Sequence, residues 1–288
     1  VLSFLLIGYS GHRIFARRSA ITALIVTTVG GLAMLAGLIM LAHMAGSWRI
    51  SGVLAAAPGL LADDGGRVLL EVAVGLVLIG ALTKSAQAPF HFWLPGAMAA
   101  PTPVSAYLHA AAMVKAGVFL VARLAPAFHE LATWQVLVLG LGLWTLMLGG
   151  WRALRQTDVK LVLAYGTVSQ LGFLMVANGL GVRDAALAGL AMLLAHALFK
   201  APLFMVVGII DHEAGTRDLR ELSGIGRRHP VLAAVAVLAA ASMAGLPPLF
   251  GFVAKEAVLQ SLTDHGEAHG GLLAWAPLVL MAAGSVLT

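Results

Sequence analysis

Seven stretches of the chain, at about 20–45, 69–92, 102–124, 134–152, 158–179, 185–210 and 230–260, are apolar over lengths near or above the ~20 residues that a helix needs to cross a bilayer. Partial runs stand at both ends. In hydrocarbon every backbone polar group must be satisfied within the protein, so runs of this kind become helices. The sequence therefore predicts an all-α, polytopic transmembrane helix bundle. It begins inside one apolar run at Val1 and stops inside another, Leu272 to Thr288. The expectation is a single transmembrane domain over 1–288, an internal piece of a longer membrane protein truncated at both ends.

The loops alternate in charge. Those around 12–18, 152–160 and 211–229 hold Arg13, Arg17, Arg18, Arg152, Arg155, Lys160, Arg217, Arg220, Arg227 and Arg228, while the intervening ones hold only Arg49, Arg67, Arg123 and Arg183. By the positive-inside rule the first set is cytoplasmic. With 60% hydrophobic and 11% charged residues, soluble enzymes and nucleic-acid-binding modules are excluded. The formal charge of +5 belongs to these loops rather than to an anionic partner. No cysteine is present, which removes disulfides, thiol catalysis, iron–sulfur clusters and cysteine-ligated zinc.

Two runs are interrupted. Proline and glycine fall in Lys84-Ser-Ala-Gln87-Ala-Pro89-Phe-His91-Phe-Trp93-Leu-Pro95 and again in Gly245-Leu-Pro247-Pro248-Leu-Phe-Gly251-Phe-Val-Ala-Lys255. Proline removes a backbone donor and clashes with the preceding turn. Unwound backbone at membrane depth persists only where protein or a water-filled cavity satisfies it, so each break, with a lysine beside it, marks a candidate ion path.

The lysines separate from the arginines. All thirteen arginines lie in loops or at span ends, yet four of the five lysines, Lys84, Lys115, Lys200 and Lys255, lie within apolar segments. Arginine stays protonated, whereas burial and neighbouring charges move a lysine between its two states, as a proton relay requires. Insertion scales put about 2.5–3.5 kcal/mol on one charge at the bilayer centre. Snorkelling from a span end remains open for Lys84 and Lys255.

Histidines accompany two of these lysines. His196 and Lys200 are four apart and share a helix face. His109 precedes Lys115 by six residues, about 9 Å along a continuous helix. Asp211-His212-Glu213 has metal-ligand residue types, but consecutive side chains diverge and the segment lies in a basic loop, so capping or partner contact is expected. No dinucleotide, phosphate-loop or heme pattern occurs, and no cofactor or metal is expected.

The segments Thr83-Lys84-Ser-Ala-Gln-Ala-Pro-Phe-His-Phe-Trp-Leu-Pro95, Pro101-Thr-Pro103-Val-Ser-Ala-Tyr-Leu-His109-Ala-Ala-Ala-Met-Val-Lys115, Asp158-Val-Lys160-Leu-Val-Leu-Ala-Tyr-Gly-Thr-Val-Ser-Gln170, His196-Ala-Leu-Phe-Lys200 and Gly251-Phe-Val-Ala-Lys255-Glu256 resemble the proton-translocating antiporter-like superfamily. It includes complex I membrane-arm subunits and the large subunits of Mrp-type multisubunit sodium/proton antiporters. Phe90-His91-Phe92-Trp93-Leu94-Pro95 and Asp211-His-Glu-Ala-Gly215-Thr-Arg217-Asp218 resemble the branch that holds the A subunit of the Mrp antiporter. The resemblance implies an inverted repeat with two broken helices and a central hydrophilic axis holding Lys84, His109, Lys200 and Lys255. His196 matches the second histidine of an H-x-x-x-H-x-x-x-K helix whose first position is Met192 here. The family's glutamate, in a W-E-x-T-S run, falls upstream of Val1.

The reading is proton translocation coupled to sodium or another monovalent cation, through a lysine–histidine–water relay on Lys84, His109, Lys115, His196, Lys200 and Lys255. The chain is expected to be no catalyst in itself and to lie in the cell inner membrane with other hydrophobic subunits. The second reading is a proton-pumping membrane-arm component of an NADH–quinone oxidoreductase or membrane-bound hydrogenase.

Overall fold

The computed structural model describes residues 2–269 and 272–287. Among these residues the only strand-like pairing is one isolated bridge, Asp158 with Asp218. A short α1 (Leu2–Ile7) leads into the long α2 (Ile14–Ala45), then α3 (Ile50–Ala62) and α4 (Arg67–Lys84). The chain then breaks and passes through a 3₁₀ turn at Phe90–Phe92, α5 (Trp93–Gly96) and α6 (Thr102–Ala106). A π-helical turn at Tyr107–Ala111 precedes α7 (Lys115–Phe128). Next come α8 (Ala132–Trp134), a second π-helical stretch at Gln135–Gly140, α9 (Leu141–Ala153), α10 (Val159–Gly179) and α11 (Arg183–Ala214). The short α12 (Ile225–Arg228) precedes α13 (Pro230–Ala244), α14 (Phe250–His269) and α15 (Leu272–Leu287). Among the described residues, five helical stretches are long and apolar enough to span a membrane.

Packing follows the membrane rule of small residues inward. On α2, Ile21, Ile25, Val29, Leu32, Leu35 and Ile39 are exposed, whereas Ala16, Ala20, Ala23, Thr27, Gly30 and Gly37 are buried. Lipid is as apolar as leucine, so large side chains gain little by turning inward and close backbone approach holds helices together. A Cβ on Gly37 would lie 2.8 Å from Val77 of α4, and one on Gly149 2.8 Å from the Ser169 Cα of α10. These contacts bring α2 onto α4 and α9 onto α10.

Both predicted breaks are present, and they are built alike. At the end of α4, Gln87 N–H bonds Leu82 O (2.9 Å) and Ala86 N–H bonds Thr83 O (3.4 Å). At the end of α13, Leu246 N–H bonds Ala241 O (3.0 Å) and Gly245 N–H bonds Ser242 O (3.2 Å). Each is a Schellman turn, which needs a left-handed residue just past the helix. Gly245 fills that place with φ 84 in the second, and Ala86 with φ 48 in the first. A cis X-Pro bond follows three residues on in both, at Pro89 and Pro248.

The 69–92 run is interrupted where its proline placed the break, since α4 stops at Lys84. Two other expectations need correction. The 102–124 run is not continuous either: the chain departs from helix at Ala112 (φ −123, ψ −66) before α7 begins. Helix α3 lies in what was expected to be a loop, since its 13 residues are too few to stand out as a span.

The two turns give a paired expectation. Left-handed backbone costs a residue with a β-carbon roughly 1–2 kcal/mol. Ala86→Gly should therefore hold or raise the thermal unfolding midpoint in detergent, while Gly245→Ala should lower it. The reverse order would contradict the equivalence of the turns.

Candidate functional site

The three basic loops converge at one end. Arg13, Asp158, Lys160, Asp211 and Arg217 line a cleft of about 360 Å³ that reaches in to Ala99, Ala100 and Pro101. Arg217 pairs with Asp158 (3.4 Å) and Asp211 (3.9 Å). Asp158 also caps α10, accepting from Lys160 N–H (2.8 Å) and Leu161 N–H (3.3 Å). The strap after α11 is tied across this cap by Val159 N–H to Arg217 O and Leu219 N–H to Thr157 O. Farther along it, hydrogen bonds from the Arg220 side chain hold the exposed Asp218 carboxyl down to about 2. The opposite end is closed by Thr133 N–H on Glu71 (3.0 Å) and Trp134 Nε1 on Gly179 O (2.8 Å). Loops of one charge class thus meet at one end, as the alternation predicted.

At the inner end of the cleft is a residue that the sequence reading misplaced. Lys160 is not a loop residue. It is the second residue of α10, 2% exposed, and its Nζ donates to Ala100 O at 2.6 Å. Flanking Asp158 and Arg155 made the position look solvated. The signal that could have found it is the Asp158 cap, which starts the helix one residue before Lys160 and turns its side chain inward.

The six predicted residues divide unevenly. His109, Lys115, His196, Lys200 and Lys255 are all buried, whereas Lys84 is half-buried. Each of the buried lysines rests on a backbone carbonyl: Lys115 on Leu193 O (3.0 Å), Lys200 on Leu163 O (3.3 Å) and Lys255 on Ala244 O (3.4 Å) at the second break. None has a carboxylate within ion-pair distance among the described residues. Gly166 leaves room for Lys200, since a Cβ there would sit 3.3 Å from Nζ.

Both histidine rings are fully buried, His109 beside Phe204 (5.4 Å between centroids) and His196 beside Phe199 (5.5 Å). Neither ring nitrogen of either histidine has a hydrogen-bond partner among the described residues. A neutral imidazole offers one donor and one acceptor, so each ring can take a proton on one side and pass one on the other.

The pairings differ from those expected. The π-helical turn and the break beyond it part His109 from Lys115, so the 9 Å path along one helix does not exist. His109 instead lies within electrostatic reach of Lys160 and Lys200. His196 feels Lys115, Lys200 and His109, and Lys200 also feels Lys255. His196 and Lys200 share a buried face as predicted, with no hydrogen bond between them. The result is a set of titratable groups, each within electrostatic reach of another, running from the cleft, at Lys160, to the second break, at Lys255. Lys84 stands outside it.

The Asp211-His212-Glu213 segment holds no metal-binding group of three among the described residues. Asp211 belongs to the Arg217 ion pair, while His212 and Glu213 face each other at 3.7 Å on the surface.

A transmembrane family model, NADH:quinone oxidoreductase/Mrp antiporter, matches residues 1–280. The chain belongs to this family. The A/B subunit of a probable K+/H+ antiporter of Rhizobium meliloti is 51% identical over 256 residues, 89% of this chain and 25% of that protein. The A subunit of the Na+/H+ antiporter of Alkalihalophilus pseudofirmus is 46% identical over 281 residues, covering 93% of this chain and 34% of its own length. In the Mrp complex of a Dietzia species, a 43% identical chain superposes with a TM-score of 0.89, over 99% of this chain and 31% of that one. The chain thus spans about a third or less of these relatives.

These 288 residues hold no cysteine, so in a background with none elsewhere in the complex the geometry can be probed by single thiols placed at chosen positions. Lys160→Cys should react with a membrane-impermeant thiol reagent from the Arg13 side only, through the cleft. Lys200→Cys should stay unlabelled from both sides. Labelling of Lys160→Cys from the opposite side would contradict the assigned cleft.

Proposed function

We propose that this chain translocates protons, coupled to the counter-movement of a monovalent cation, as part of the large subunit of a multisubunit antiporter in the bacterial plasma membrane. The observation that carries the reading is the set of buried lysines and unpartnered histidines that starts at the cleft, where Asp158 and Asp211 lie beside Lys160, and has no carboxylate in an ion pair with Lys115, Lys200 or Lys255 among the described residues. A proton entering at Lys160 meets His109, then Lys200, and from there His196 and Lys115 or Lys255. Water completes the hydrogen bonds that the two imidazoles lack. Each transfer moves a charge between neighbours that repel, so occupancy of one site expels the proton of the next. The site residues act by proton exchange without covalent chemistry, which makes this a secondary transporter rather than an enzyme.

The cation is sodium or potassium; the two relatives carry one name each. The antiporter names favour this reading over a redox-driven membrane-arm component. The partners are other hydrophobic membrane subunits, and the 288 residues form one transmembrane domain of the longer chain.

Arginine keeps charge and cannot release a proton. In the assembled complex, reconstituted in proteoliposomes, Lys200→Arg should lower proton-coupled cation transport by about a hundredfold, the size of a positioned proton-transfer group. Assembly should be retained. Transport at the wild-type rate would remove Lys200 from the relay. His196→Gln should move the pH profile of transport; a change of rate alone, with the profile in place, would assign that ring a packing role.

A further inference from the structure

Lys84 poses a problem that the electrostatics leave open. It sits half-buried at the first break, yet it has no hydrogen bond, ion pair or charge neighbour among the described residues, while each buried lysine lies within electrostatic reach of His109, His196 or another lysine. What links it to them is a hydrogen bond. Ser85, the C-cap of α4, donates its hydroxyl to Val114 O at 2.8 Å in the buried interior. Val114 is the N-cap of α7, and Lys115 is that helix's first residue. The bond therefore joins the residue after one lysine to the residue before another.

Three features make this contact a coupling rather than an incidental bond. The Ser85 backbone is held in the Schellman turn by its own N–H on Ala81 O (2.9 Å), so the hydroxyl follows the end of α4. Gly117 lets α7 press onto that end: a Cβ there would overlap Ala81 O and Ser85 Oγ. The preceding stretch at Ala112 is not helical, so α7 starts beyond the π-turn, and this contact is one of the few bonds that hold its first turn, with Ala116 N–H on Met113 O and Lys115 Nζ on Leu193 O. Beyond it, Lys115 rests on Leu193 O, one helical turn before His196 on α11.

We propose that Ser85 is a positioning residue that couples Lys84 to Lys115: a change of charge at Lys84 shifts the end of α4, and the Ser85–Val114 bond carries that shift to the start of α7. This rests on the proton-relay reading for its purpose, but not for its test. Hydrogen exchange of the α7 first-turn amides, Ala116 to Phe119, measures the coupling without transport, so the loss of the relay reading would leave the result interpretable.

The experiment is a double-mutant cycle in nanodiscs with Lys84→Gln and Ser85→Ala. Lys84→Gln alone should change exchange in the α7 first turn by about fivefold or more, the lower range of a coupling between sites. In the Ser85→Ala background the same substitution should leave that exchange unchanged, a non-additivity that a merely structural serine would not produce. Ser85→Cys, of similar size with a weak donor, should give an intermediate response and replaces Ser85→Ala if that variant does not fold. An equal effect of Lys84→Gln in both backgrounds, or none at α7 in the wild type, would overturn the proposal.

Discussion

Four ammonium groups, those of Lys115, Lys160, Lys200 and Lys255, are buried in one helical bundle, and each is held by a backbone carbonyl rather than a carboxylate. A carboxylate would fix each charge in place. A single carbonyl satisfies one of three N–H donors and leaves the ammonium free to lose its proton to a neighbour. The four carbonyls come from two kinds of backbone. In a regular helix nearly every carbonyl is already taken, and two of the acceptors lie where helices are interrupted: Ala244 O at the second break and Ala100 O in the irregular segment between α5 and α6. The other two, Leu163 O and Leu193 O, belong to the continuous helices α10 and α11, where the ammonium shares a helical carbonyl.

The interruptions are themselves kept intact by side chains. At the first break Trp93 Nε1 donates to Thr83 O (3.0 Å), Gln87 Nε2 to Ser85 O (3.0 Å), and Thr145 Oγ1 accepts from Ala88 N–H (2.9 Å). Left bare in hydrocarbon, each such polar group would cost roughly 2–7 kcal/mol. The same break thus contains both the unwound backbone and its repair, which lets a membrane bundle hold protonatable groups without losing its shape.

Much of this was legible in the sequence. Hydropathy located the spans, the loop arginines gave the two ends, and the contrast between loop arginines and intramembrane lysines picked out Lys84, Lys115, Lys200 and Lys255. Proline and glycine marked both breaks. What was not legible came from local departures that carry no compositional mark. The π-turn around His109 uses ordinary helix formers, yet it and the break beyond separate that ring from Lys115 and leave it near Lys160 and Lys200. Lys160 was hidden by its charged neighbours. Ala86 occupies a left-handed turn that normally announces itself with glycine, so the likeness between the two breaks was invisible until both turns were seen.

The central claim is that the buried lysines titrate as one system and that Lys84 is electrostatically apart from them. Carbon-13 labelling of the lysine ε carbons in the assembled complex, with the Lys84 and Lys200 signals assigned by their loss on substitution of each residue, follows the two groups separately. The measurement is the pH titration of these signals in nanodiscs, for the wild type and for Lys255→Gln. The account predicts that removing the Lys255 charge moves the Lys200 transition and leaves that of Lys84 in place. A Lys200 signal that titrates at the same pH in both proteins would contradict it.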